Sequence, residues 1–170
     1  EEDKPRNWLV RTGNAPLPSA GSFLRPGAVA VPGVGEAREV AADPAKGVPW
    51  GVARVNAPAL WQTTMGAGVR VAVLDTGIDG THPALKANYK GGFNSAQDGA
   101  SASDGHGHGT HVAGTIAAAS KEIVGVAPQA SLFAVKVLDD EGNGTFASII
   151  KGLEWAVENR MQVVNMSLGG

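Results

Sequence analysis

Apolar residues are concentrated in three runs along this chain. Residues 69–74, 132–138 and 163–166 are almost continuously apolar, a pattern typical of strands buried on both faces of a parallel sheet. Residues 88–94 predict a fourth strand at the periphery of that sheet. The strands are well separated along the sequence, which leaves room for a helix in the connections.

Helices are predicted from the spacing of apolar residues between the strands. A helix beginning near His108 has apolar residues at helical spacing, namely Val112, Ala113, Ile116 and Ala117. Thr145 is expected to cap a second helix, whose apolar face consists of Phe146, Ile149, Ile150, Leu153 and Ala156. Asn56 is expected to cap a short helix that has Pro58 in its first turn and Leu60 and Trp61 on its apolar side. The alternation of strand and helix predicts an α/β fold with a mostly parallel sheet flanked by helices, which is incomplete in this chain.

Residues 1–45 differ from the rest of the chain. They contain six prolines and show no amphipathic period, and within them only Trp8-Leu9-Val10 predicts a short strand. We therefore expect an irregular N-terminal extension over residues 1–45 and a folded domain over residues 46–170. The extension is either a passive linker or a remnant of an inhibitory pro-segment.

Charge and composition narrow the range of partners. The net charge is −2 and no apolar run approaches the ~20 residues that span a bilayer, so we expect neither nucleic acid nor a membrane as a partner. The chain has no cysteine, which excludes disulfides and thiolate chemistry. Its first residue is Glu1 rather than Met, so we expect a processed or trimmed N-terminus.

Asp75 directly follows the first apolar run and precedes Thr76 and Gly77. Functional groups in open α/β sheets gather at the carboxyl ends of the strands, where loop N–H groups keep a carboxylate ionised. Asp75 is therefore a candidate catalytic carboxylate. The alternative is an aspartate that only opens a turn.

Three histidines, His106, His108 and His111, lie among glycines at a predicted helix start. A metal site is one interpretation, but the pattern lacks the i, i+4 pair of a helical zinc motif. The other interpretation makes His108 a general base, because a helix N-terminus disfavours the imidazolium while a facing carboxylate favours it. His106 and His111 are expected to be surface or packing histidines.

The segment Ser167-Leu168-Gly169-Gly170 follows the last apolar run. Its two glycines expose backbone N–H and C=O groups, which can pair with an extended peptide by strand addition. An ordinary turn is the alternative.

Three segments together resemble the signature motifs of subtilisin-like serine proteases. They are VAVLDTGID at 71–79, HGTHVAG at 108–114 and VNMSLGG at 164–170. The likeness extends from about Val48 to Gly170 and implies a subtilisin-like serine endopeptidase, of which this chain is the N-terminal portion. Subtilisin is itself the reference case for the chain order Asp, His, Ser.

The resemblance implies a role for each matching residue. Asp75 orients His108, which takes the proton of a serine hydroxyl and later gives it to the leaving amine. Residues expected to bind a polypeptide substrate are Gly142, Asn143, Gly144, Phe146, Ile149, Ser167, Leu168 and Gly169. No cofactor is required for this chemistry.

The nucleophilic part of the family pattern is missing from this chain. The family serine lies in a Gly-Thr-Ser-Met-Ala motif that does not occur here, and the asparagine that donates to the oxyanion is also absent. We therefore expect this chain to be inactive alone, and a second chain from the same precursor to bring the serine and the asparagine. The alternative is an inactive subtilisin-like binding or scaffold protein.

The resemblance also bears on calcium and on the cellular environment. Relatives have an aspartate that binds calcium where this chain has Ala84, and the loop at residues 118–123 is short and contains Lys121. Because calcium prefers six to eight oxygen ligands, we expect the usual structural calcium site to be degraded. The family further implies a secreted or extracellular enzyme, made as a zymogen and matured by autoprocessing.

Overall fold

A computed structural model describes residues 6–7 and 47–169 of the chain. The predicted strand at Trp8-Leu9-Val10 lies outside the described residues. The described elements are β1 (Arg6–Asn7), α1 (Trp50–Arg54), a 3₁₀ helix (Ala57–Leu60), β2 (Arg70–Asp75), β3 (Tyr89–Asn94), α2 (His108–Ala117), β4 (Ser131–Lys136), β5 (Asn143–Gly144), α3 (Phe146–Glu158) and β6 (Val163–Asn165).

Four strands form one parallel sheet in the order β3-β4-β2-β6. The register of the central pair runs from Arg70 opposite Ser131 to Asp75 opposite Lys136. A parallel pair needs a long crossover, and α2 and α3 lie in the crossovers that lead to β4 and β6. The predicted α/β fold with a parallel sheet flanked by helices is confirmed.

The two faces of the sheet bury different helices. Side chains alternate between the faces of a strand, so Val71 and Val73 of β2 pack in one core cluster with α2, while Ala72 and Leu74 pack in another with α3. The helices therefore lie on opposite faces of the sheet.

Among the described helices, none is long and apolar enough to cross a membrane.

β6 lies at the edge of the described part of the sheet, whereas its apolar sequence predicts a core strand. Among the described residues it pairs only with β2, and Val163, Val164 and the following Met166 are 46%, 39% and 40% exposed. The apolar sequence is suited to a strand that is buried on both sides. In the described part of the sheet, β6 has a neighbouring strand on one side.

The two predicted helix caps have different outcomes. Thr145 caps α3 as predicted: its Oγ1 accepts from the N–H of Ser148 at 3.0 Å, and the Ser148 Oγ accepts from the N–H of Thr145 at 3.1 Å. Asn56 precedes the 3₁₀ helix, but its side chain makes no capping hydrogen bond, so that prediction is wrong. Its backbone is left-handed, with φ of 58°, whereas a capping residue typically has an extended backbone.

Candidate functional site

The topology brings three loops to one edge of the sheet. Because β2, β4 and β6 are parallel, their carboxyl ends lie at the same edge. Asp75 is the last residue of β2 and is completely buried. The segments that follow β4 and β6 contain residues that the resemblance implies bind substrate, Gly142–Gly144 and Ser167–Gly169, which we call the first and second substrate rails. The predicted site residues therefore converge on this edge.

Asp75 and His108 are in direct contact, although 33 positions separate them in sequence. The Nδ1 atom of His108 lies 2.8 Å from Oδ1 and 3.0 Å from Oδ2 of Asp75. The backbone N–H of Thr76 donates to the same Oδ1 at 2.7 Å. The imidazole is 30% exposed while the carboxylate is not exposed at all. An imidazole that donates from Nδ1 to a buried carboxylate keeps Nε2 as a proton acceptor.

A glycine allows this close approach of α2 to the end of β2. A Cβ atom at Gly109 would lie 2.1 Å from the carbonyl oxygen of Gly77 and 3.2 Å from Oδ1 of Asp75. The N–H of Gly109 instead donates to Thr76 Oγ1 at 3.0 Å. Gly109, which follows His108, is therefore hydrogen-bonded to Thr76, which follows Asp75. This bond holds the start of α2 against the end of β2.

Asp104 is a centre of hydrogen bonding in this site that no sequence motif predicted. The first turn of α2 lacks a side-chain cap from Gly107, and the carboxylate of Asp104 accepts hydrogen bonds there instead. Burial raises the pKa of Asp104, but hydrogen bonds from Thr110, Gly107 and Thr76 outweigh it and hold the pKa below the ordinary value. Its stabilising effect is therefore present above the ordinary carboxyl pKa and is lost as the pH falls through the lowered one. An aspartate a few residues before a helix was the signal that could have identified it.

A buried lysine ties β4 to the same loops. Lys136 is 7% exposed, and its Nζ donates to the carbonyl oxygen of Thr76 and to Asp140 Oδ1, the latter at 2.7 Å. The hydrogen bond and charge of Lys136 lower the pKa of Asp140. Asp140 in turn accepts from the backbone of Gly105. A charged residue within an otherwise apolar strand was the sequence signal for this anchor.

The first predicted substrate rail is a backbone edge that pairs with an extended segment. Gly142 has a left-handed φ of 81°, and Asn143–Gly144 form β5. Arg6–Asn7 pair with them antiparallel, with Arg6 opposite Gly144 and Asn7 opposite Asn143. The edge predicted to bind substrate thus accepts a strand of this same chain.

The other predicted substrate residues differ in exposure. Phe146 is 51% exposed and Ile149 is 7% exposed. Ser167 is exposed, and its Oγ donates to Asn165 Oδ1 at 3.0 Å. Leu168 packs against the core cluster that contains Leu74, and Gly169 is half-buried. Their roles in substrate binding stay predictions.

The remaining histidines are not gathered around a metal position. His111 is exposed and, with His82, lines a cavity of about 510 Å³ beside α2 that neither Asp75 nor His108 lines. The rings of His106 and His108 meet edge to face with centroids 6.4 Å apart. Within residues 6–7 and 47–169, no group of three or more His, Cys, Asp or Glu side chains could hold a metal ion.

The residues around the loop at 118–124 do not fit the calcium ion that the resemblance implies. Ala84 is buried and offers only its carbonyl oxygen, which accepts from the N–H of Ala119 at 2.8 Å. Ser120 Oγ accepts from the N–H groups of Glu122 and Ile123, and the Ile123 carbonyl accepts from Ser120. These oxygens accept hydrogen bonds that close the loop, and the described part of the chain places no metal-binding group of three or more His, Cys, Asp or Glu side chains beside them.

Comparison with known proteins gives a consistent result. The profile of the Subtilase family matches residues 66–170. Subtilisin E of Bacillus subtilis strain 168 is 50% identical over 145 residues, which cover 79% of this chain and 36% of that protein. Subtilisin BL of Lederbergia lenta is 56% identical over 128 residues, which cover 74% of this chain and 46% of that protein. An alkaline protease of Alkalihalobacillus alcalophilus is also 56% identical over 128 residues, 33% of its length. The chain therefore spans between a third and a half of these relatives.

Proposed function

Since the chain belongs to the subtilase family of serine proteases, we propose that it is the acid- and base-bearing part of a serine endopeptidase. The single observation that supports this assignment is the 2.8 Å contact between the His108 imidazole and the buried carboxylate of Asp75. The serine and the oxyanion asparagine come from a second segment of the same precursor. We call this chain together with that segment the complemented peptidase.

The reaction is acyl transfer, and its proton steps follow from the contact. His108 Nε2 takes the proton of the serine hydroxyl while the serine oxygen bonds to the substrate carbonyl carbon, whose C=O double bond opens to give the oxyanion of the tetrahedral intermediate. The resulting imidazolium keeps Nδ1–H on Asp75, whose buried charge stabilises it. His108 then protonates the leaving amine as the C–N bond breaks, and water hydrolyses the acyl-enzyme by the same proton path in reverse.

The substrate is an extended polypeptide bound by its backbone. The antiparallel pairing of Arg6–Asn7 with Asn143–Gly144 supports strand addition at β5. The segment at Ser167, Leu168 and Gly169 forms the second rail. Phe146 and Ile149 contribute to a pocket for a substrate side chain.

The serine-bearing segment packs against β6. This strand leaves one backbone edge without a described neighbour, and Val163 and Val164 also line a cavity of about 290 Å³ together with Ile116. An exposed apolar edge strand is a template for pairing with another strand. A strand of the second segment would cover this apolar surface and bring the serine to the edge where His108 lies.

Complementation followed by active-serine labelling tests the proposal. Mixing this chain with the serine-bearing segment of its precursor is expected to give a complex that reacts with a fluorophosphonate. A segment whose serine is replaced by alanine is the matched control and should form the complex without being labelled. A complex that contains the wild-type serine and is not labelled would contradict the endopeptidase and favour an inactive scaffold.

We further propose that the protein is a secreted zymogen that matures by autoprocessing, and that its fold needs no calcium at the loop of residues 118–124. The oxygens of that loop already accept hydrogen bonds from Glu122, Ile123 and Ser120. The loop is thus closed by the chain itself.

EDTA is expected to leave the thermal midpoint of unfolding unchanged. A calcium site would add about 2.7 kcal/mol to the free energy of unfolding when the free calcium concentration is 100 times its Kd. Removal of a structural ion would therefore lower the midpoint by several degrees. Differential scanning calorimetry with EDTA, and with EDTA followed by excess calcium, measures this. A midpoint that falls and then recovers with calcium would refute the calcium-independent loop.

A further inference from the structure

The carboxylate of Asp104 joins the two elements that hold Asp75 and His108. Its Oδ1 accepts from Thr76 Oγ1 at 2.8 Å, from the N–H of Gly107 at 2.8 Å and from the N–H of His106 at 3.0 Å. Its Oδ2 accepts from both the N–H and the Oγ1 of Thr110, at 2.9 and 2.6 Å. One side chain therefore binds the end of β2 and the first turn of α2 at once.

Thr76 carries this connection to the carboxylate of Asp75. Its backbone N–H donates to Asp75 Oδ1 at 2.7 Å, and its hydroxyl accepts from the N–H of Gly109 at 3.0 Å. A hydroxyl has one proton and two lone pairs. Donation of that proton to Asp104 leaves the lone pairs for Gly109, so the charge of Asp104 sets the direction of the hydroxyl.

We propose that Asp104 is a positioning residue, which fixes α2 against the end of β2 so that His108 stays within hydrogen-bonding distance of Asp75. Asp104 acts on the position of His108 indirectly, through its hydrogen bonds to Thr76 and to the backbone at the start of α2. The expected effect on turnover rests on the proposed endopeptidase function, whereas the effect on the geometry of the pair does not.

Asp104→Asn tests the proposal in this chain alone. The amide keeps one acceptor oxygen but offers N–H groups where the second oxygen accepts hydrogen bonds. We expect the His108 Nδ1 proton, observed by NMR, to exchange with solvent about tenfold faster, as the loss of one charged hydrogen bond permits. Asp79→Asn is the matched control, because it removes the same charge nearby from a carboxylate that accepts local hydrogen bonds from Thr81 and from the backbone of His82. It should leave the exchange rate unchanged.

Thr76 provides a second pair of variants, which decides the question if Asp104→Asn does not fold. Thr76→Val keeps the branched shape but removes the hydroxyl that joins Asp104 to Gly109, and it should also speed exchange about tenfold. Thr76→Ser retains the hydroxyl and should restore the slow exchange. In the complemented peptidase, Asp104→Asn should lower kcat about tenfold without raising KM.

Two outcomes are distinguishable. Should Asp104→Asn and Thr76→Val lower the thermal midpoint while the exchange of the His108 proton stays as in the wild type, Asp104 only caps a helix and the proposal is overturned. If the His108 proton exchanges faster in these variants but the complex with the second segment is not labelled at serine, the positioning role of Asp104 is supported and the proposed endopeptidase function is refuted.

Discussion

Replacing Asp75 with asparagine is expected to lower kcat/KM of the complemented peptidase by about 10⁴-fold, the size that is established for the triads of serine proteases, subtilisin among them. The geometry of this site supplies the reason for a loss. The N–H of Thr76 donates to Asp75 Oδ1, so the amide oxygen of an asparagine stays there. The amide nitrogen then takes the place of Oδ2, 3.0 Å from His108 Nδ1. It donates to Nδ1, and the ring proton moves to Nε2, which can no longer accept the serine proton.

Steady-state hydrolysis of a peptide substrate measures this loss. Asp98→Asn is a suitable control, because Asp98 is a largely exposed carboxylate paired with Lys151. The activity of this variant should stay within about twofold of the wild type, since exposed ion pairs contribute little. A loss below about tenfold for Asp75→Asn would mean that the buried carboxylate does not select the tautomer of His108.

Gly109→Ala is expected to destabilise the fold by about 3 kcal/mol and to lower kcat by about 10²-fold. The new methyl group would lie 2.1 Å from the Gly77 carbonyl oxygen, and overpacking against backbone costs about 1–3 kcal/mol or more. Relief of the clash moves α2 away from β2 and takes His108 from Asp75. A displacement of about 1 Å can cost about 10²-fold in rate.

Gly114→Ala is the matched control on the same helix. A Cβ atom there meets nothing within 4 Å, and alanine is favoured over glycine inside a helix by about 0.5–1 kcal/mol. Urea denaturation should therefore show Gly109→Ala less stable and Gly114→Ala slightly more stable than the wild type. Equal free energies of unfolding for the two variants would show that the contact at Gly77 does not restrict α2.

The continuous apolar runs and the helical spacing of apolar residues were sufficient to locate most secondary structure. The predicted run at 69–74 corresponds to β2 (Arg70–Asp75), and the helix predicted near His108 begins there. The cap at Thr145 was predictable because its partner is only three residues away. Local patterns of this kind follow from the periodicity of strands and helices and from short-range hydrogen bonds.

Prediction failed where exposure or a cap depends on distant parts of the chain. Asn56 is a residue type that often caps helices, yet its backbone is left-handed and its side chain makes no capping hydrogen bond. Phe146 and Ile150 were expected on the apolar face of α3, but they are 51% and 55% exposed, since the sheet covers only the side of α3 that holds Ile149 and Ala156.

The sequence by itself determined the positions of most strands and helices, the identity of the family, and the choice of Asp75 and His108 as candidates, because each rests on residues that are neighbours in the chain. Only the tertiary structure decided that their side chains meet at 2.8 Å. It also decided that Asp104 and Lys136 hold the surrounding loops. These contacts depend on the order of the strands and on the path of the loops, so the long-range packing of the whole sheet fixes them.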